Sequence, residues 1–240
     1  MNHPEDDEVA ETPPNRERVL QRAWVLSCVT CRAFLENFED ELQSATLHSR
    51  VLSWIDTVFL RSEFEEAELE FVDSERGESS QQAIVNGSWR SEGLAVLAWA
   101  LNRYELPAHD QMVDPVAAAN ALLFLSDDAH DRRNEFDLRS ADELKAFSER
   151  QFAIHWRLRD FSLSPRSMDF REFARTAWFG PLDIERVALA ENDLAIDGVS
   201  ISKAPKDVVR RCQSIATERH QAINWLRGRG ATYSNIDTST

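Results

Sequence analysis

Apolar residues recur at helical spacing through most of the chain. Val19, Leu20, Ala23, Trp24, Leu26, Cys28, Cys31, Phe34, Leu35 and Phe38 form one stripe, which predicts a long first helix opened by Thr12 and the prolines at 13 and 14. Leu47, Val51, Leu52, Ile55, Val58 and Phe59 form a second stripe, and Ser62 with Glu65 reads as a capping box that opens a third, acidic helix. Residues 75–87 read as a polar loop, with Asn86-Gly87-Ser88 as the turn and cap for a helix over Trp89 to Arg103. Asp114-Pro115 is an N-cap followed by proline at the first helical position, leading into an alanine-rich segment up to Leu125. Ser126-Asp127-Asp128 reads as the cap of a short charged helix. Ser140 with Glu143 forms another capping box for a helix to about Phe161, and Asp169 with Glu172 opens one through Trp178 that Gly180-Pro181 stops.

From Ile184 the period changes to alternation. Ile184, Val187 and Leu189, then Leu194, Ile196, Val199 and Ile201, are broken by Asn192-Asp193 and Asp197-Gly198, turn dipeptides at hairpin spacing. Ala204-Pro205 then opens a last long helix with Val208, Val209, Cys212, Ile215, Ala216, Ala222, Ile223 and Leu226 on its apolar side, ended by Gly228 and Gly230. The expected fold class is mainly α with a small late antiparallel hairpin. The expected organisation is a disordered acidic tail over 1–14 and one helical domain over 15–240.

The net charge of −15 is concentrated in two places. Glu5, Asp6, Asp7, Glu8 and Glu11 stand in the tail without a base, and Glu63, Glu65, Glu66, Glu68, Glu70, Asp73, Glu75 and Glu78 face only Arg76. The rest of the chain is nearly neutral. Such segments cannot neutralise phosphates, so nucleic acid is an unfavourable partner, whereas a basic protein would be attracted. No apolar run reaches the ~18 residues of a membrane helix, and the acidic start lacks the basic and apolar regions of a signal peptide. A cytoplasmic location with reduced thiols is expected for the three cysteines.

Arg90 and Glu92 lie in an otherwise apolar helix carrying Trp89 and Trp99. Charges that cannot reach water must be paired or do chemistry. Three blocks carry a family resemblance. The first is Trp89, Arg90, Glu92, Leu97, Trp99, Ala100 and Leu101, followed by Glu105-Leu106-Pro107 and Asp114. The second is His155, Trp156, Arg159 and Asp160, and the third is Glu218, Arg219, His220, Ala222, Asn224, Trp225 and Leu226 with the closing Asp237-Thr238 and Thr240. Over about residues 16–240 the chain resembles the bacterial domain-of-unknown-function family 4272, with Tyr233 where such proteins often have tryptophan. That resemblance implies a fold and a set of residues to explain, and no activity.

Helical spacing puts His155 with Arg159, Trp156 with Asp160, and His220 with Asn224 on shared faces. If the three helices pack together, Glu92, His155, Asp160, Glu218 and His220 converge, and two readings follow. In one, Arg90, Arg159 and Arg219 saturate Glu92, Asp160 and Glu218 in a structural network that includes Asn224, because a guanidinium fork matches a carboxylate. In the other, the five acids and histidines bind a metal or perform acid–base catalysis.

No H-E-x-x-H, paired E-x-x-H, Asp-rich loop, G-x-S-x-G elbow or phosphate loop is present, so no cofactor is expected. Cys28-Val29-Thr30-Cys31 lacks the preceding strand of a redox unit and a second pair for zinc, and reads as two core thiols. The tryptophans read as core residues, with Trp178 beside a loop as the exception. Two functional classes remain: an interaction or regulatory module using Glu63, Glu65, Glu66, Glu68, Glu70 and Asp73 against a basic partner, or a metal-dependent or acid–base enzyme.

Overall fold

A computed structural model of the chain describes residues 12–240, and the acidic residues expected to form a tail before position 12 lie outside it. Eight α-helices carry the described residues: α1 (Arg16–Leu35), α2 (Glu41–Thr57), α3 (Glu66–Asp73), α4 (Gln81–Ala100), α5 (Pro115–Ala121), α6 (Ala141–Leu163), α7 (Phe170–Thr176) and α8 (Lys206–Leu226). Between α7 and α8 lies a three-stranded antiparallel sheet of β1 (Leu189–Ala190), β2 (Asp193–Ile196) and β3 (Val199–Ser200), in that order. The mainly α fold with a small late sheet agrees with the pattern of apolar positions.

Local chemistry sets most of the boundaries. Asp114 accepts hydrogen bonds from the Val116 and Ala117 amides with Pro115 at the first helical position, and Ser140 and Glu143 form the reciprocal capping box. Both hairpin turns place two residues at positive φ, Glu191 with Asn192 and Asp197 with Gly198, matching the twist of the short strands.

Several boundaries differ from the sequence reading; α5 and α7, for example, stop at Ala121 and Thr176, short of the expected Leu125 and Trp178. The first helix is capped by Asn15 rather than by the Thr12-Pro13-Pro14 segment. The capping box of α3 is Glu65 with Glu68, while Ser62 sits in a preceding 3-10 turn. The Ser126–Glu135 segment, entered from a positive φ at Leu125, forms turns and a single 3-10 turn at Arg133–Glu135, not an α-helix.

The largest difference is in α4, which begins at Gln81 after the Ser80 cap and runs through Asn86-Gly87-Ser88. Ser88 donates to the Ile84 carbonyl of its own helix at 2.9 Å instead of capping a new one. Gly87 is there for packing: a Cβ would lie 3.0 Å from both Ala33 of α1 and Phe71 of α3. A glycine that marks a turn in sequence thus marks the closest approach of three helices.

Two apolar clusters result. The larger gathers α1, α2, α4 and α5 with Leu144 and Phe147 of α6 and Ala222–Leu226 of α8; the smaller gathers Ala153, Ile154 and Leu158 of α6, Phe170 of α7, Leu194 and Ile196 of β2, and Val209, Cys212 and Ala216 of α8. The first part of α8 serves the smaller cluster and its end serves the larger. Between them, Thr217, Glu218, Arg219 and His220 are polar, so the two cores meet across a polar layer. Trp24, Trp54 and Trp225 are buried, whereas Trp178 is 91% exposed beyond the end of α7. Among the described residues no helix is long and apolar enough to cross a membrane.

Gly93 of α4 faces Tyr233, whose hydroxyl occupies the space a Cβ would need and has no hydrogen-bond partner of its own. Gly93→Ala is therefore expected to lower stability by about 1–3 kcal/mol, although alanine favours a helix by about 1 kcal/mol. Adding Tyr233→Phe should recover part of the loss in urea unfolding, because that change removes the overlapping oxygen.

Candidate functional site

The polar layer is built by α4 and α8 running side by side. Arg219 of α8 reaches Glu92 of α4 with Nε 2.9 Å from Oε2, both side chains almost wholly buried, and Arg90 of α4 reaches Glu218 of α8 at 3.1 Å. The two pairs are crossed: each helix supplies one guanidinium and one carboxylate to the other. Arg219 spends its remaining donors on the carbonyls of Pro107, Ala108 and Gln111, at 2.8–3.2 Å, and the second oxygen of Glu92 accepts the Val113 amide at 3.1 Å. The ion pair therefore fastens the α4–α5 loop onto α8. His109 and Asp110 extend that fastening to the sheet, through the Ala195 carbonyl at 2.7 Å and the Asp197 amide at 2.8 Å.

Next to this crossing, His155 of α6 and His220 of α8 meet with their Nδ1 atoms 3.0 Å apart. Their partners fix the tautomers. The Thr217 hydroxyl donates to the Gln213 carbonyl at 2.9 Å, so its oxygen accepts from His155 Nε2 at 3.2 Å. His155 Nδ1 then accepts from His220 Nδ1, and His220 Nε2 accepts from the Asn224 amide at 3.1 Å. Asn224 also donates to the Asp237 carbonyl and accepts from Arg229. Every ring nitrogen is used by two neutral imidazoles. Burial pushes His155 down to about 4 and, with the neighbouring His155 ring adding to it, His220 down to about 3.

Asp160 does not join this layer. It pairs with Arg157 at 2.8 Å, while Arg159, the partner expected from sequence, makes no ion pair with a described carboxylate. Arg157 is fully buried and holds Asp193 of β2 through two bonds of 2.7 and 2.8 Å, tying α6 to the sheet. Arg157 was hidden in the sequence because it lies among polar neighbours of an amphipathic helix, and its main partner is far along the chain.

The acidic run also turns inward in part. Arg22 of α1, 1% exposed, faces Glu63, Glu65 and Glu68 at 3.5, 3.4 and 2.9 Å, and Glu65 accepts the Ser234 amide. Burial lifts the Glu68 carboxyl above its ordinary range despite Arg22 beside it. Asp73 pairs with Arg61, leaving Glu66 and Glu70 facing water. The Tyr233 ring lies between the guanidinium groups of Arg22 and Arg90, at 5.7 and 5.4 Å, and so joins this acidic cluster to the crossed pairs.

The proposed convergence of Glu92, His155, Asp160, Glu218 and His220 is thus divided. Glu92 and Glu218 belong to the crossed pairs, the histidines to one neutral chain, and Asp160 to Arg157. Among the described residues no three His, Cys, Asp or Glu side chains gather in a way that could hold a metal. Burial lifts Glu218 above the usual carboxylate range, with Arg90 opposing. The three cysteines are free, and burial raises the Cys31 and Cys212 thiols to about 11. A thiol so raised is a poor nucleophile.

Two of the concave features outside this layer carry aromatic side chains. One is an apolar groove of about 260 Å³ between α1, α2 and α5, lined by Cys31, Phe34, Phe38, Leu47, Val116 and Phe124 among others. The other is a cleft of about 570 Å³ against α6 and the turn after α8.

Helices joined by crossed arginine–carboxylate pairs, with imidazoles bound to each other, define a mainly α-helical protein whose interior charges are paired. The chain matches the family described as Domain of unknown function (DUF4272) over residues 3–170, and it belongs to that family. The match takes in Arg90, Glu92, His155 and Asp160, and the α8 residues lie beyond it. No curated protein and no solved structure matches the chain.

Removing one member of a buried pair strands the other, at a cost of about 3–5 kcal/mol. Glu92→Gln should lower the unfolding free energy by an amount of that order, and pairing Glu92→Leu with Arg219→Met should cost less than the two single changes summed. A double-mutant cycle in urea with a coupling near zero would contradict the pairing. The histidines add a pH dependence. In the unfolded chain they take up protons below their ordinary value of 6.5, but in the folded protein only near 4 and 3. Their stabilisation is complete above pH 6.5 and is lost as pH falls from there towards those values, by up to about 1.4 kcal/mol per pH unit for each ring. Unfolding at pH 7 and pH 5 should therefore differ less for His220→Gln than for the unchanged protein.

Proposed function

We propose that the protein is an interaction module that docks an amphipathic helix of a basic partner protein in the groove between α1, α2 and α5. The observation that carries this reading is an apolar groove with an acidic rim. Phe34 and Val116 on its lips are 41% and 63% exposed, a contiguous apolar surface of the kind that marks interaction sites. Exposed carboxylates of Glu39, Asp40, Asp114 and Asp127 stand within two residues of lining positions and make no ion pair with described residues; Arg50, bound to the Leu125 carbonyl at 2.7 Å, offsets one of them. The groove is smaller than the ~300–1,000 Å³ of an enclosing small-molecule pocket, which suits the anchor side chains of a helix lying across it. At its floor the Thr30 hydroxyl is buried without a hydrogen-bond partner.

This reading keeps a basic partner but moves its contact from the Glu63–Asp73 run, where Arg22 already consumes three of the carboxylates, to the α1–α2 turn and the start of α5. The enzyme alternative has less support, since the acids it needs are paired with arginines and its histidines with each other.

A synthetic amphipathic peptide with leucines along one face and lysines at both ends should bind, with an affinity that falls as salt rises. Val116→Asp or Phe34→Ser should weaken it about tenfold or more, the loss expected from one buried anchor. Binding that persists unchanged in both variants, or a matching peptide with glutamates at its ends that binds equally well, would overturn the proposal. So would self-association through this groove in sedimentation, which would assign it to a second copy of the chain.

A further inference from the structure

The cleft beside α6 has a different character from the groove. Its walls come from Phe152 and Glu149 of α6, Phe179 and Leu182 of the segment after α7, and Arg227 and Arg229 of the turn after α8. At about 570 Å³ it lies within the usual range for a small-molecule site.

Three observations limit what it accepts. The first is aromatic: Phe152 and Phe179 meet edge to face with centroids 6.3 Å apart, and Phe179 in turn meets Trp178 at 5.3 Å. Trp178 is 91% exposed, so its indole contributes almost no burial to the fold while standing beside the mouth of the cleft.

The second is electrostatic. Both carboxylates in the lining are occupied, Glu149 by Lys145 at 2.8 Å and Asp183 by the Glu185 amide at 2.8 Å. Arg229 donates to Asn224 at 3.2 Å. The Arg227 guanidinium has neither a hydrogen-bond nor an ion-pair partner among the described residues, which leaves one uncommitted cation in a lining that also holds Phe152 and Phe179.

The third is rigidity. The wall is fixed before any ligand arrives, because Leu182 donates its amide to Ala174 at 2.8 Å, Gly180 donates to Ala177 at 3.0 Å, and Trp156 stacks on Phe173 at 4.4 Å behind Phe179.

We propose that this cleft binds a small aromatic anion, with its ring against Phe152 and Phe179 at the edge of Trp178 and its carboxylate or phosphate on Arg227. A guanidinium recognises either anion through two parallel hydrogen bonds, while the aromatic side chains of the same lining offer the ring an apolar contact. The site is separate from the helix-docking groove, so the failure of either proposal leaves the other standing.

Calorimetric titration of the full chain with benzoate, phenyl phosphate, inorganic phosphate and benzyl alcohol tests the assignment. Benzoate or phenyl phosphate should bind, the stronger of the two identifying the preferred anion, and should quench a tryptophan signal that Trp178→Phe removes. Arg227→Gln should weaken binding by about tenfold or more, the loss of a charge-assisted hydrogen-bond pair, with little change in melting temperature because the guanidinium has no hydrogen-bond or ion-pair partner among the described residues. Phe179→Ala should weaken it as well. The proposal fails if neither aromatic anion binds at millimolar concentration, or if inorganic phosphate binds as well as phenyl phosphate. It fails equally if benzyl alcohol matches benzoate, or if Arg227→Gln binds as the unchanged protein does.

Discussion

The crossing of Arg219–Glu92 with Arg90–Glu218 is the constraint around which the rest is arranged. Two helices distant in sequence exchange a cation and an anion each, so neither slides nor rotates against the other without stranding a charge in a nearly dry interior. The desolvation of these groups is expensive and is offset only while all four are present with their additional hydrogen bonds. Buried pairs of this kind are often no more stabilising than apolar side chains of similar volume, whereas losing one partner is costly. The α4–α5 loop is held by both members of one pair: Arg219 takes the Pro107, Ala108 and Gln111 carbonyls, and Glu92 takes the Val113 amide, which places the Asp114 cap and through it the helix forming one lip of the groove.

The polar layer also explains how two apolar clusters share two helices. α6 and α8 each change partner midway, and the residues at the change are those that satisfy one another: the histidines, Thr217 and Asn224. A chain of neutral imidazoles suits this position because it fills space like an aromatic core, as the contact of Phe152 with His220 at 5.9 Å shows, while using every nitrogen. Charged residues further out follow the same economy. Arg22 gathers three carboxylates of the acidic run, and Arg157 links α6 to the sheet. Part of the most acidic stretch of the chain is accordingly built into the fold, while Glu66 and Glu70 stay in water.

Most of the helices were legible because their caps are local. Asp114-Pro115, Ser140 with Glu143, Asp169 with Glu172 and the alternation after Ile184 each determine a boundary from a few neighbouring residues, and the structure follows them. Asn86-Gly87-Ser88 carries the same local vocabulary and was misleading, because what Gly87 answers to is Ala33 and Phe71, which no window around residue 87 contains. The polar residues divide in the same way. That Arg90 and Glu92 require partners was evident from charges set in an apolar helix, and Glu218 and Arg219 were singled out by the family resemblance. Which charge meets which was not, and Arg157, His109 and the aromatic cleft gave no local sign.

The sequence by itself determined the helical period, the caps, the late hairpin and the presence of charges needing partners, since these depend on backbone propensity and side chains within one or two turns. Tertiary structure alone decided that the pairs are crossed, that the histidines face each other as neutral rings, that the acidic run folds onto Arg22, and that an apolar groove and an aromatic cleft remain open. Those outcomes depend on contacts between segments up to 169 residues apart, as between Glu65 and Ser234, and distances of that kind exist only once the helices have packed.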